Sequence, residues 1–175
     1  FITNLIITPF KKILPDIPNN RSAHNSIKPR GGGISFITSI FISSLIFDHN
    51  FFILLYPLCF ISFLDDLINI KRWVRFIFQI STSFLLFLTS NYFDLISEIN
   101  NTPIEIILTI LIVIFATGII NFCNFMDGID GILTGSILII LISSLLTSST
   151  YSIALIGSLI GFLIWNWEPS KIFMG

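Results

Sequence analysis

The stretch NFCNFMDGIDG, residues 121 to 131, places Asn121, Asn124, Asp127 and Asp130 three positions apart between two long apolar runs. Oxygen at each third position suits a hard cation such as Mg²⁺, and asparagine amides can also donate to nucleotide or phosphate groups. On a regular α-helix such a stripe drifts by about 60° per step, whereas a 3₁₀ turn would stack it on one face. Gly128 and Gly131 make a break there plausible, and the twelve-residue spacing of an EF-hand is missing. A second cluster, FLDDLINIKRWVR, sets Asp65 beside Asp66 at the end of an apolar run, followed by Lys71, Arg72 and Arg75. Adjacent carboxylates repel, and neighbouring helical positions point about 100° apart, so each needs its own partner. A divalent metal, or a phosphate with its metal, would supply one.

Two further segments carry charge toward the same chemistry. DIPNNRSAHNSIKPRGGG, residues 16 to 33, offers Arg21, His24, Lys28 and Arg30 to phosphate, and its three glycines allow a close backbone approach to a ligand, without the spacing of a P-loop. WNWEPSKIFMG puts Trp165 and Trp167 at interface depth, with Lys171 either reaching a phosphate or marking the inner face. Each segment also has a plain structural reading. Asp65 and Asp66 could be a solvated helix end, residues 121 to 131 a polar turn satisfied by its own backbone, and residues 16 to 33 a basic juxtamembrane linker with His24 a surface histidine.

The elements that must position these residues are apolar. The chain of 175 residues is 54% hydrophobic and 11% charged, with a formal net charge of -1, and its mean hydropathy is +0.92. That composition belongs to an integral membrane protein and gives no reason to expect a nucleic-acid partner. Taking about 20 apolar residues per span, candidates lie near residues 32 to 47, 51 to 64, 74 to 93, 104 to 122, 132 to 148 and 153 to 167. Residues 1 to 10 resemble the tail of a truncated first span. Asp48-His49-Asn50 divides the first two candidates, since three polar residues in mid-bilayer would be costly; one continuous helix of 33 residues is the rival. The expected fold is all-α: a single membrane-embedded domain over 1–175, a polytopic transmembrane helix bundle of about six complete spans. Gly157 and Gly161 read as a close helix-packing motif, and Cys59 and Cys123 as free thiols.

Alternating the loops across the membrane places all nine basic residues on one side, with Asp48, Asp94, Glu98 and Glu105 on the other. By the positive-inside rule the basic side is the cytoplasm. The same parity puts residues 11 to 31, 65 to 75, 121 to 131 and 166 to 175 together at that face.

Taken in this order, DIPNNRSAHNSIKPRGGG, FLDD, NFCNFMDGIDG and WNWEPSKIFMG make nearly the whole chain resemble the polyprenyl-phosphate N-acetylhexosamine-1-phosphate transferases, the family that includes the phospho-muramoyl-pentapeptide translocase. The wording of the first and last segments is most similar to the bacterial branch that starts O-antigen and related polysaccharides on undecaprenyl phosphate. The resemblance implies a magnesium-dependent reaction, with Mn²⁺ as a substitute. The phosphate of the lipid carrier attacks the β-phosphorus of a UDP-sugar, yielding a lipid-diphosphate sugar and UMP at the cytoplasmic face of the bacterial inner membrane. A homo-oligomer is compatible with it.

Residue by residue, the resemblance implies catalytic roles for Asp65 and Asp66. It implies substrate binding by Arg21, His24, Lys28, Arg30, Asn121, Asp127 and Asp130, and metal binding by Asn124, Asp65 and Asp130. In the family an Asp follows the F-M-G at which this sequence stops, and a later His-containing loop is absent, so the segment alone is expected to be inactive. Asn69 stands where the family has a third carboxylate after the acidic pair. A membrane transporter, which would need a continuous polar route through the bilayer, and a non-catalytic membrane scaffold are the competing readings.

Overall fold

Proline, asparagine and glycine set where the helices begin and end. The computed structural model describes residues 2–18, 26–46, 50–127, 129–145 and 151–175. The order is α1 (Ile2–Ile13), β1 (Pro15–Asp16), β2 (Lys28–Pro29), α2 (Gly33–Ile46), a 3₁₀ helix (Asn50–Leu55), α3 (Tyr56–Ile68), α4 (Arg72–Leu88), α5 (Asn91–Ser97), α6 (Thr102–Met126), α7 (Ile132–Leu145) and α8 (Tyr151–Asn166). The fold is nearly all-α. Its one departure among the described residues is a two-residue antiparallel ladder that pairs Pro15 with Pro29 and Asp16 with Lys28.

Local chemistry accounts for the boundaries. Asn101 caps α6, accepting from the Ile104 N–H at 3.4 Å, while Glu105 accepts the Asn101 N–H at 3.0 Å; with a proline in the first turn, this satisfies N–H groups a helix start leaves bare. Helix α3 stops because Asn69 adopts a left-handed φ of 50° and returns its N–H to the Asp65 carbonyl. The Asp48-His49-Asn50 segment itself lies partly outside the described residues, but a single helix through it is excluded. Tyr56 stacks edge-on against Phe41 at 5.1 Å and its hydroxyl lies 3.3 Å from the Ser44 Oγ. Residues that far apart on one helix would be separated by roughly 20 Å.

Helices α2, α7 and α8 pack together, with α1 beside them, and α3, α4 and α6 form a second group joined to the first through the 3₁₀ helix and the start of α7. The core is small and contains polar side chains: Thr134, Ser35, Gln79, Thr82, Ser83, Thr117 and Asn166 are all buried. Phe115, Ile139, Ile140 and Ile164 face outward. Among the described residues only 11% of the apolar stretch of α6 is buried.

Span lengths differ from the expectation. Helix α6 is long and apolar enough to cross a bilayer; α4 and α5 would qualify only as a pair, and they meet at a 72° bend. The expected run 74 to 93 is therefore broken after Leu88, where Thr89 and Ser90 turn their hydroxyls back onto helix carbonyls. Helices α2 and α7 are shorter apolar helices. The Gly157/Gly161 motif makes no close approach either, because an added Cβ would meet nothing within 4 Å. Cys59 and Cys123 are free.

Asn166, 4% exposed at the end of α8, ties the start of α7 to the tail. Its Oδ1 accepts from the Gly131 N–H at 3.2 Å and the Thr134 hydroxyl at 3.1 Å, while its Nδ2 donates to the Ile172 carbonyl at 3.1 Å. Gly131 sits at φ 71°, a conformation that favours glycine and lets its N–H point at that oxygen. Asn166→Ala should lower stability by about 2–4 kcal/mol, because it strands buried polar groups on three elements; thermal unfolding in detergent would measure it.

Candidate active site

Three segments distant in sequence converge at one end of the bundle, and the tail of the chain holds them in place. After α8 the chain runs alongside residues 29 to 33, joined to them backbone to backbone. Phe173 N–H donates to the Pro29 carbonyl at 2.9 Å, Gly32 N–H to the Phe173 carbonyl at 2.8 Å and Gly33 N–H to the Met174 carbonyl at 2.7 Å. Gly32 and Gly33 thus do admit a close backbone approach, and the backbone that approaches is the chain's own tail, while Gly31 packs against Leu14 and Phe10.

This lacing carries Gly175 to the acidic residues. A methyl group added there would stand 2.9 Å from Asp66 Oδ2, and its backbone N–H donates to the Asp127 carboxylate. Asp66, in the last turn of α3, and Asp127, at the C-terminus of α6, are close enough to repel. Burial pushes Asp127 up to about 7, the charge of Asp66 adds to the shift, and the Gly175 N–H opposes it. Asp66 rises to about 6, again chiefly through burial, with Arg30 and Arg75 opposing and Asp65 reinforcing.

From the ordinary carboxylate value of 3.8 up to these raised values, the folded chain binds more protons than the unfolded one. In metal-free buffer, stability from these two groups is whole below about pH 4 and is lost as pH climbs through about 6 and 7. Melting temperature measured across that interval should fall, and the fall should flatten in an Asp66→Asn/Asp127→Asn double variant.

The remaining acids of the motifs are differently employed. Asp65 turns away from Asp66 to accept from the Ile70 N–H at 2.7 Å and from Arg75 Nη1 at 2.8 Å, clamping the corner between α3 and α4. Asp130 accepts from the Ser170 N–H at 2.9 Å and pairs with Lys28 at 3.4 Å. Burial raises its pKa, yet the Ser170 backbone and hydroxyl together with Lys28 outweigh that and hold it below the usual carboxylate range. Lys28 Nζ also donates to Ser170 Oγ at 2.9 Å and lies 5.1 Å from the centre of the Phe173 ring. Arg30 pairs with Asp16 across the small ladder.

The expected stripe on one face is consequently split. Asn121 and Asn124 lie on a regular α-helix that continues to Met126, so the break begins only at Asp127. Asn121 turns inward to Gln79, Asn124 is exposed, Asp127 faces Asp66, and Asp130 faces Lys28. Asp65 is held by Ile70 and Arg75 and Asp130 by Ser170 and Lys28, and among the described residues no group of three or more His, Cys, Asp or Glu is arranged to hold a metal ion. Arg21 and His24 lie outside the described residues. Lys171 covers the Trp165 ring at 5.0 Å, which occupies it within the tail.

Asp66 and Asp127 do fit a hard dication. Both carboxylates lie against Gly175, and their mutual repulsion is a cost that a divalent charge would relieve. Sequence reasoning overlooked Gln79, Ser170 and Asn166. Gln79 had a legible signal, as an amide inside an apolar run; Ser170 and Asn166 stood inside a quoted motif without a role.

Residues 49–175 match the family model described as glycosyl transferase family 4. The chain belongs to that family. Among curated relatives it is similar to the undecaprenyl-phosphate alpha-N-acetylglucosaminyl 1-phosphate transferase of Thermotoga maritima, 32% identical over all of the chain and 56% of the relative. A probable undecaprenyl-phosphate N-acetylglucosaminyl 1-phosphate transferase of Bacillus subtilis is 28% identical over 99% of the chain and 55% of the relative. The phospho-N-acetylmuramoyl-pentapeptide-transferase of Staphylococcus carnosus is 29% identical over 84% of the chain and 56% of the relative. The chain therefore spans about half the length of these curated relatives. No solved structure matches it.

Proposed function

We propose that the protein transfers a sugar-1-phosphate, an N-acetylhexosamine phosphate, from a UDP-sugar to undecaprenyl phosphate at the cytoplasmic face of the bacterial plasma membrane. This would be the first step of a cell-envelope polysaccharide or lipopolysaccharide such as O-antigen. The observation that carries the reading is the meeting of Asp66 and Asp127 beside the laced tail, in a chain whose relatives bear transferase names. In the proposed setting the exposed apolar faces of α4, α6, α7 and α8 lie in lipid, in a bundle of about six spans, and the charged end faces the cytosol.

The reaction brings a phosphate nucleophile to a diphosphate, so charge must be neutralised and the two groups aligned. A phosphate oxygen of the lipid carrier forms a bond to the β-phosphorus, the bond to the bridging oxygen breaks, and UMP leaves. The acceptor, with a second pKa near ~6, is largely dianionic at neutral pH and has little need of a strong base. Asp66 and Asp127 would hold Mg²⁺, or Mn²⁺ in its place, and the ion when bound supplies charge neutralisation for the phosphates. Lys28 and Arg30 border the site as cations whose pairing with Asp130 and Asp16 fixes their positions. Asp65 acts through Arg75, holding the α3–α4 corner so that Asp66 projects correctly.

The test uses the full-length protein in membranes. Labelled UDP-sugar and undecaprenyl phosphate with Mg²⁺ should give a lipid-linked diphosphate sugar and UMP, and chelation should abolish the product. Asp130→Ala should reduce it strongly by releasing Lys28 and the tail. Full conversion in the presence of chelator would refute the metal role, and absence of any product would refute the transferase reading.

A further inference from the structure

Between α4 and α6 runs a buried seam of polar side chains that the reaction so far leaves unused. Thr117 donates from Oγ1 to the Val113 carbonyl at 2.8 Å, and the same oxygen lies 3.4 Å from Ser83 Oγ. One turn further along α6, Asn121 Nδ2 donates to Gln79 Oε1 at 2.8 Å and to the Thr117 carbonyl at 2.9 Å. Gln79 is 3% exposed.

A carboxamide nitrogen carries two hydrogens, and both of those on Asn121 are committed inside the bundle. The Thr117 carbonyl accepts and cannot donate, so it fixes which way the amide faces. Gln79 takes the other hydrogen and holds the plane of the group. What Asn121 has left to offer is Oδ1, an acceptor.

We propose that Gln79 is a positioning residue for donor-substrate recognition, orienting Asn121 so that its carbonyl oxygen is presented to N–H or O–H groups of the nucleotide sugar. Asn121 then contributes no hydrogen bond to phosphate oxygens. The proposal rests on the transferase reading and on the substrate-binding role that the family resemblance implies for Asn121.

The experiment is a double-mutant cycle on the full-length protein in membranes, with KM for UDP-sugar, KM for undecaprenyl phosphate and kcat measured separately, and thermal unfolding followed alongside. Gln79→Leu should raise KM for UDP-sugar roughly tenfold, the weight of one buried hydrogen bond, leaving KM for undecaprenyl phosphate unchanged. Gln79→Glu, which keeps an acceptor in either protonation state, should recover most of the loss. In the Asn121→Ala background, Gln79→Leu should change KM no further. If Gln79→Leu does not accumulate, Gln79→Thr replaces it, since a short hydroxyl can be satisfied by its own helix yet cannot reach Asn121.

An unaltered KM in the Gln79 variants, or losses that multiply with Asn121→Ala, would overturn the proposal and leave Gln79 with a packing role. Normal KM in Asn121→Ala, with activity otherwise intact, would also overturn it while sparing the transferase reading. No turnover by the unmodified protein would remove that parent reading as well.

Discussion

Asp66→Asn and Asp127→Asn should each reduce sugar-phosphate transfer on the order of a hundred- to a thousandfold, while Asp65→Asn should cost far less activity and show its effect first in stability. The distinction follows from where the adjacent carboxylates point. Asp66 lies against Gly175, whose backbone N–H binds the Asp127 carboxylate, in a buried setting that disfavours its charge. Asp65 is already neutralised by Arg75 and hydrogen-bonded to the Ile70 N–H. Asparagine at 65 keeps one acceptor oxygen for either the Ile70 N–H or Arg75 and sets an NH₂ against the other donor, so the corner between α3 and α4 weakens without collapsing. Initial rates in membranes, set beside melting temperatures, separate the two cases. A charge exchange, Asp65→Arg with Arg75→Asp, should restore part of what either single change loses. If Asp65→Asn were inactive with a normal melting temperature, Asp65 would belong to the chemistry after all.

Gly32→Ala should be nearly as damaging from a position that carries no functional group. A Cβ there would lie 2.5 Å from the Phe162 ring and 2.6 Å from the Phe173 carbonyl oxygen. Phe162 is 1% exposed and has no room to retreat, so the tail must move and the Gly32–Phe173 hydrogen bond is lost with it. Overpacking of this kind costs about 1–3 kcal/mol, and here the strain falls on the segment that delivers Gly175 to Asp66 and Asp127. Loss of activity together with a lowered melting temperature is expected. Gly33→Ala is the matched control, because its Cβ would meet the Met174 carbonyl at 3.2 Å, a distance that a small shift relieves. Equal behaviour of the two variants would show that the tail is not held as described.

The helical character of the chain and the gathering of its polar segments at one end were legible in the sequence, because apolar runs and the parity of charged loops depend on composition alone. The turning back of the chain between Phe41 and Tyr56 was legible for the same reason. The partners within the site were not. Asp65 and Asp66 are neighbours in sequence, and only the direction each side chain takes from α3 decides that one meets Arg75 and the other Asp127. The regular helix through Asn121 and Asn124 also defeats the every-third-residue pattern, which spacing alone could not reveal. Span lengths failed where hydroxyl groups ended α4 at an otherwise apolar Leu88. Asn166 looked like one polar residue between two tryptophans, and its importance comes from Gly131, Thr134 and Ile172 arriving around it.

Lys28 and Ser170 stand 142 residues apart in sequence, yet they share a hydrogen bond beside Asp130. A ribosome emits the first of them long before the second, so the reaction centre cannot take shape while the intervening helices are still being inserted. During that interval Lys28 and the glycines after it wait without their eventual neighbours. Assembly of this corner is thus a closing event in biogenesis, and a nascent chain arrested short of the tail would lack the partners of Lys28 and Asp130.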